Sequence, residues 1–473
     1  MRLLERDHPL EVLREHARRA VEGRGSVVLV AGEAGIGKTM LLRAFADGSR
    51  SPVLLGLCDP LSTPRPLGPL RDVAGDLGPP VTAVLRDAVA QHEIFAAVLE
   101  ALRSRPHVFV VEDLHWGDEA TLDLVRFLAR RIATLPLLLV LSYRDALGPD
   151  HPLRPVLGDL VGGPDARRLQ LTPLSRAAVT ELVGEVTGEH RLAAADVHAR
   201  TAGNPFFVSQ ILAQPDSPLP ESVRDAVVAR TTALVPEVRR CLELLSCAPE
   251  GVRGELLAAL KVSAATVEAL AVTGLLDRRD RGVVFRHEIA RSAVLGAIPP
   301  GTEPALHTRM IEALEDVGGD ASVLAHHAAA AGDVARIRRY APLAGAEAAR
   351  SGARREAVAF YELALRHAED DVALRAMLLE LLATELYLTD RLNHAIATRG
   401  LALRLRRDLG EPVAVGAGHR AISYYEWYAA DLAGAERHDE AALAILEGAG
   451  DALELGYALA NRVFLAAQRG NGT

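Results

Sequence analysis

Cysteine is scarce in this chain: Cys58, Cys241 and Cys247 are the three in 473 residues. They are too few and too irregularly spaced for a disulfide framework or a zinc site, so they read as small buried hydrophobes in a reducing compartment. Aromatic residues are sparse as well, 4% against 49% hydrophobic. The core must therefore be built mostly from Leu, Val and Ala, which favours helices packed on helices. No excess of positive charge is present: a net charge of -9 and a pI of about 6.0 leave no overall cationic field for nucleic acid or an anionic membrane. Long apolar runs are missing too. The longest, near Leu135 to Leu141, is far too short to span a bilayer, and the start Met-Arg-Leu-Leu-Glu-Arg-Asp-His carries charges where a signal peptide needs an apolar core. The expectation is a soluble cytoplasmic protein with no membrane partner and about three domains.

What the chain does contain is a complete phosphate cradle. Gly32-Glu33-Ala34-Gly35-Ile36-Gly37-Lys38-Thr39 satisfies G-x-x-x-x-G-K-[ST], between a buried-strand run (Val27 to Val30) and an apolar helix (Met40 to Phe45). The glycines let the backbone approach phosphates closely, and its N–H groups wrap them. Lys38 adds a point charge, the Thr39 hydroxyl suits Mg2+, and the helix N-terminus favours an anion. ATP or ADP with Mg2+ is the expected cofactor set.

Further strands are predicted at Val53 to Cys58, Val108 to Val111, Leu137 to Leu141 and Arg168 to Leu171, alternating with helices. That alternation predicts an α/β P-loop NTPase domain with a mainly parallel sheet. The third strand ends in Glu112-Asp113, which puts acid at the sheet edge where ligands bind in open α/β folds. One carboxylate there holds Mg2+ and the other orients or deprotonates an attacking water. By position Glu112 is the metal-side acid and Asp113 the water-side acid, with the exchanged order left open. Arg144, after the fourth strand, is placed either to sense the outermost phosphate or as a plain surface charge.

Gln214 to Pro220 holds three prolines and reads as a linker. Helices near 223–234, 237–247, 254–260 and 263–273 follow, then a hairpin of Leu275 to Arg279 and Val283 to Arg286 joined at Asp280-Arg281-Gly282; helices with such a wing give a winged helix. Its candidate recognition helix, Ser263 to Thr273, contains no Lys or Arg, so specific DNA binding by this chain is not expected. Beyond Gly301 the small residues Ala357, Ala395 and Ala435 recur at about forty residues, a helical-hairpin period like that of tetratricopeptide arrays. Such an array offers a concave surface for an inducer or partner protein. Tyr424, Tyr425, Trp427 and Tyr428 either mark that surface or are packing residues. The chain ends after the first helix of another apparent hairpin (Leu453 to Ala467), which reads as a truncated array. The expected domains are 1–213 (P-loop ATPase with helical lid), 214–300 (winged helix) and 301–473 (repeats).

Val-Glu-Asp-Leu-His-Trp-Gly-Asp (111–118), Ser-Tyr-Arg (142–144) and Ala202-Gly203-Asn204-Pro205-Phe206-Phe207 together resemble the ATPase module of the signal-transduction NTPases. The nearest branch is the large ATP-binding LuxR-type regulators, similar in layout to maltose-regulator-like proteins. The resemblance implies that Leu4-Glu5-Arg6-Asp7 lies near the adenine, although glycine is common in that family where Glu5 stands. It also implies that Pro205 packs on the base and that a winged-helix domain closes over the nucleotide with His287 touching the ADP phosphates. The phosphate loop, from Gly32 through Met40, would complete the nucleotide site. The implied activity is a slowly hydrolysing, ATP-dependent, self-associating switch. Alternatives are a continuously cycling ATPase and the regulatory module of a cyclase- or kinase-linked protein.

Overall fold

The computed structural model describes residues 3–87, 89–163, 165–187, 194–213, 223–249, 251–279 and 282–470. The linker expected at Gln214 to Pro220, the turn residues Asp280 and Arg281, and the last three residues lie outside them. The chain divides into two compact units, Met1–Gly319 with His326–Gly332, and Asp320–Ala325 with Asp333–Thr473.

In the first unit, β1 (Ser26–Ala31), β2 (Val53–Leu57), β3 (His107–Glu112), β4 (Leu137–Tyr143) and β5 (Ala166–Gln170) form one sheet in the order β2-β3-β4-β1-β5, with every pairing parallel. The three inner strands are continuous apolar runs and are buried throughout, as a sheet covered on both faces requires. β2 alternates, and β5, predicted two residues later in the chain, exposes Arg167 and Arg168 at the sheet edge. Val28, Val30, Val108, Val110, Leu138 and Val140 share one core cluster with Leu13 of the helix Asp7–Val21 and with Leu41 and Phe45 of the helix Lys38–Asp47. The period of two along each strand puts those residues on one face. Register aligns Ala31 with Tyr143 and Leu57 with Glu112, so the loop after β1, the residues after β4 and the acids after β3 emerge at one edge.

The same unit carries helices Val223–Thr232, Pro236–Ser246, Gly254–Ala259, Ala264–Val272 and Glu288–Leu295 with a small antiparallel sheet. Its strands are β6 (Val252–Arg253), β7 (Leu276–Arg279) and β8 (Gly282–Phe285), in the order β6-β8-β7. β7 and β8 are the expected hairpin. β6, two residues long, has no pattern that a sequence reading could detect.

The second unit is helical. Val334–Ser351 packs on Arg354–Leu365, Val372–Leu388 on Leu392–Asp408, and Pro412–Tyr428 on Leu432–Ala449, followed by Ala452–Gly470. Asp333, Asp371 and Asp431 cap the helices that follow them by accepting from backbone N–H groups. Ala357, Ala395 and Ala435 are buried where paired helices meet, and Gly345 lies against the Tyr361 ring, where a Cβ would come within 2.5 Å. Of the four aromatics left open by the sequence, Tyr425 is buried and stacks on Tyr387 with ring centroids 4.8 Å apart, while Tyr428 is 46% exposed. Among the described residues no helix is long and apolar enough to cross a membrane.

Candidate functional site

The loop after β1 turns through Gly35 (φ 77°) and Gly37 (φ 97°), both in the left-handed region that favours glycine. Space reinforces this at Gly35, where a Cβ would lie 2.9 Å from Asn204 Oδ1 and 3.0 Å from Phe206 Cβ. Lys38 opens the helix and is buried, its Nζ donating to the carbonyls of Gly32 at 2.9 Å and Glu33 at 3.0 Å. Burial lowers the pKa of its ammonium, and the negative charge of Asp113 works against that. The carbonyls of Gly32 and Glu33 thus hold the lysine against the loop after β1.

Glu112 ends β3 and is 2% exposed. Asp113 follows in a left-handed conformation (φ 54°), unusual for a side chain-bearing residue, and its N–H donates to the hydroxyl of Ser142 on β4 at 2.9 Å. That bond, from the neighbouring strand, holds the turn. Burial raises the Asp113 carboxyl above the usual aspartate range, opposed by Lys38 and Arg144. A short turn, Leu114–Trp116, then swings His115 under the acid, with Nδ1 3.9 Å from Asp113 Oδ1. His115 is buried, neither ring nitrogen has a hydrogen-bond partner, and burial with the nearby Arg144 and Lys38 pushes its pKa down to about 3. Arg144 reaches toward the Trp116 ring, its guanidinium carbon 5.8 Å from the centroid.

One cleft is lined by Ala34, Gly35, Gly37, Lys38, Thr39, Met40, Glu112, Asp113, Arg144 and His287. An adjoining pocket, walled mainly by Leu3, Leu4, Ile36, Leu174, Pro205 and Phe206, shares Gly35, Gly37, Met40, Arg286 and His287 with it. A polar cleft that runs into an apolar slot matches the two ends of a nucleotide. Arg6 lines the slot, but its guanidinium is buried and donates to the carbonyls of Ile36 at 3.2 Å and Thr172 at 2.9 Å, which ties the phosphate loop to the segment after β5. Glu5, at φ 56°, occupies a conformation that suits glycine, and its carboxylate accepts from the Ser175 N–H at 2.9 Å and from the Ser175 hydroxyl.

Asn204, within the motif 202–207, joins two segments. Its Oδ1 caps the helix Pro205–Leu212 through the Phe206 and Phe207 N–H groups, and its Nδ2 donates to the Ala34 carbonyl at 3.0 Å. From the opposite side, His287 stands just ahead of the helix Glu288–Leu295 with its ring 4.3 Å from Phe206; burial, Arg286 and Arg43 push its pKa down to about 4. Asp277 of β7 pairs with Arg43 of the phosphate-loop helix and with Arg286 at 2.8 Å. Sequence spacing cannot reveal this clamp, since its members are far apart in the chain. Thr39 and Glu112 offer the hard oxygen donors that suit Mg2+, an ion that keeps waters and phosphate oxygens as its other ligands.

Residues 2–140 match the family model of the AAA ATPase domain. A curated relative, an uncharacterised protein of Rhizobium meliloti (strain 1021), is 28% identical over 515 aligned positions, which cover 90% of this chain and 48% of the relative. The chain thus spans about half the length of that relative. Among solved structures, the chain is similar to a signal transduction ATPase with numerous domains from Pyrococcus horikoshii that carries a tetratricopeptide repeat sensor. The TM-score is 0.52 at 17% identity, covering 99% of this chain and 74% of the other. The shared fold is a parallel-sheet P-loop NTPase domain followed by a largely helical C-terminal region.

Proposed function

We propose that this chain is an ATP-binding, slowly hydrolysing signalling switch, the regulatory module of a LuxR-type transcriptional regulator. Its parts would be an ATPase core (1–213), a winged-helix lid (214–300) and a helical-repeat sensor (301–473). The observation that carries this reading is the convergence of Lys38, Thr39, Glu112, Asp113 and Arg144 on one cleft that His287 also lines. Lys38 binds the outer phosphates, Arg144 reads the terminal one, and the slot beside Pro205 takes the base. In hydrolysis a water oxygen bonds to the terminal phosphorus while the bond to the bridging oxygen breaks. ADP keeps that electron pair, and Asp113 takes the proton of the water. Thr39 and Glu112 would hold Mg2+, which would supply charge neutralisation at the phosphates. ADP favours the closed form, and a signal on the repeats loosens the lid so that ATP enters and subunits associate.

The test is nucleotide binding and turnover in the purified chain. Wild type should retain ADP and hydrolyse ATP over minutes or slower, and Lys38→Ala should lose nucleotide while keeping its circular dichroism spectrum. Unchanged ATP affinity in that variant would sink the phosphate-site reading. Rapid turnover with no added signal would instead make the chain a continuously cycling ATPase.

A further inference from the structure

Beneath the Asp113 side of this cleft lies His115, a buried histidine that the proposed reaction leaves unused. Its imidazole is buried, yet both ring nitrogens lack a hydrogen-bond partner, an arrangement that proteins avoid because a buried polar group loses its water without compensation. The Asp113 carboxylate stands 3.9 Å from Nδ1, about 0.7 Å beyond hydrogen-bond reach. Two backbone features create this approach. Asp113 is left-handed and pinned by Ser142, and the Trp116 N–H returns to the Asp113 carbonyl at 2.8 Å, closing a tight turn that carries the histidine back beneath the acid.

We infer that His115 is a positioning residue, whose Nδ1–H donates to one oxygen of the Asp113 carboxylate when nucleotide fills the cleft and leaves the other oxygen for the attacking water. The inference rests on the reading of Asp113 as the water-side acid. A neutral imidazole is well suited to this role, because it supplies an N–H without a second positive charge beside Lys38 and Arg144. Of the other members of the turn, Leu114 is apolar, and the Trp116 ring lies beside the Arg144 guanidinium with its Nε1 buried and without a hydrogen-bond partner.

The experiment measures single-turnover ATP hydrolysis and ATP affinity in His115→Phe, which keeps the ring and removes the N–H, and in His115→Asn, which restores an amide N–H near the position of Nδ1. The expected result is hydrolysis slower by roughly tenfold to a hundredfold in the phenylalanine variant, affinity unchanged within about twofold, and substantial recovery in the asparagine variant. Ring 15N spectra of wild type supply a readout independent of turnover. A non-hydrolysable ATP analogue should shift the His115 Nδ1 signal to that of a hydrogen-bonded N–H, and Asp113→Ala should abolish the shift. Wild-type hydrolysis by His115→Phe, or an Nδ1 signal indifferent to the analogue, overturns the inference alone. Wild-type hydrolysis by Asp113→Asn overturns the acid assignment and the inference with it.

Discussion

His287 lines both the polar cleft and the apolar slot, so one side chain meets whatever spans the two. Burial keeps its ring neutral, and a neutral imidazole can donate one hydrogen bond to a phosphate oxygen without the cost of a buried charge. On the proposed cycle this contact exists only in the closed form, so His287→Ala should shift the population toward the open one. The ADP off-rate should rise about tenfold, equivalent to ~1.4 kcal/mol, measured by displacement of a fluorescent analogue. An off-rate equal to wild type would leave His287 as a packing residue at a helix start and nothing more. At this scale the sequence was legible where chemistry demands neighbours in the chain: Gly37, Lys38 and Thr39 must be consecutive to serve one phosphate. His115 and Ser142 were not, because their roles depend on the left-handed turn at Asp113 and on β4 lying beside β3.

Elements report their environment through pattern, and the inner strands were readable because burial on both faces leaves continuous apolar runs. The order of those strands was not readable, since β4 lies between β1 and β3 through pairing that no local pattern encodes. The clamp between the helix Lys38–Asp47 and β7 is equally non-local. Arg43 and Asp277 are 23% and 20% exposed, and Asp277 also accepts from Arg286; burial would raise its carboxyl, but the bond from Arg43 and then the charge of Arg286 keep it below the usual range. Asp277→Asn would retain the shape and lose the charge that two guanidinium groups share. Loss of these charge-assisted bonds is expected to cost roughly 1–3 kcal/mol. Thermal unfolding should show a lowered midpoint, and stopped-flow exchange should show faster nucleotide release if β7 helps to hold the lid. A variant with the wild-type midpoint and exchange rate would mean that the clamp is a solvated surface pair.

For the molecule as a whole, the large-scale plan was legible from composition and period: few aromatics, Ala-rich helices and a small residue at each hairpin contact. Clusters of histidine were not, because their members come from separate helices. His307, His326 and His327 bring three rings within 6.0 Å, and the Nδ1 atoms of His307 and His327 are 2.7 Å apart, so one must donate and the other must be neutral to accept. Burial pushes all three below the ordinary histidine pKa, His326 to about 4, with its neighbour His307 and Arg291 adding to the effect. Glu303, 3.6 Å from His307, opposes it, and the Ser62 hydroxyl faces His326 at 3.2 Å. In the helical unit, burial and His438 likewise push His419 to about 4, with Arg407 beside it, while His438 faces Glu426 at 3.8 Å. The sign of the consequence follows from linkage. His326 and His419 stay neutral in the folded chain well below the value near 6.5 at which they titrate when unfolded, so below that value the unfolded chain binds more protons. Their contribution is fully present above pH 6.5 and is lost as pH falls toward 4, each histidine steepening the loss by up to ~1.4 kcal/mol per pH unit. Carboxylates with lowered pKa, such as Asp333, act only below the ordinary aspartate range, so the two windows separate. Melting temperature should therefore be flat from pH 8 to 7 and should fall between pH 6.5 and 5, with a shallower fall in His326→Gln. Comparing slopes instead of midpoints removes the packing cost of the substitution, and equal slopes in variant and wild type would show that this cluster does not set the acid limb.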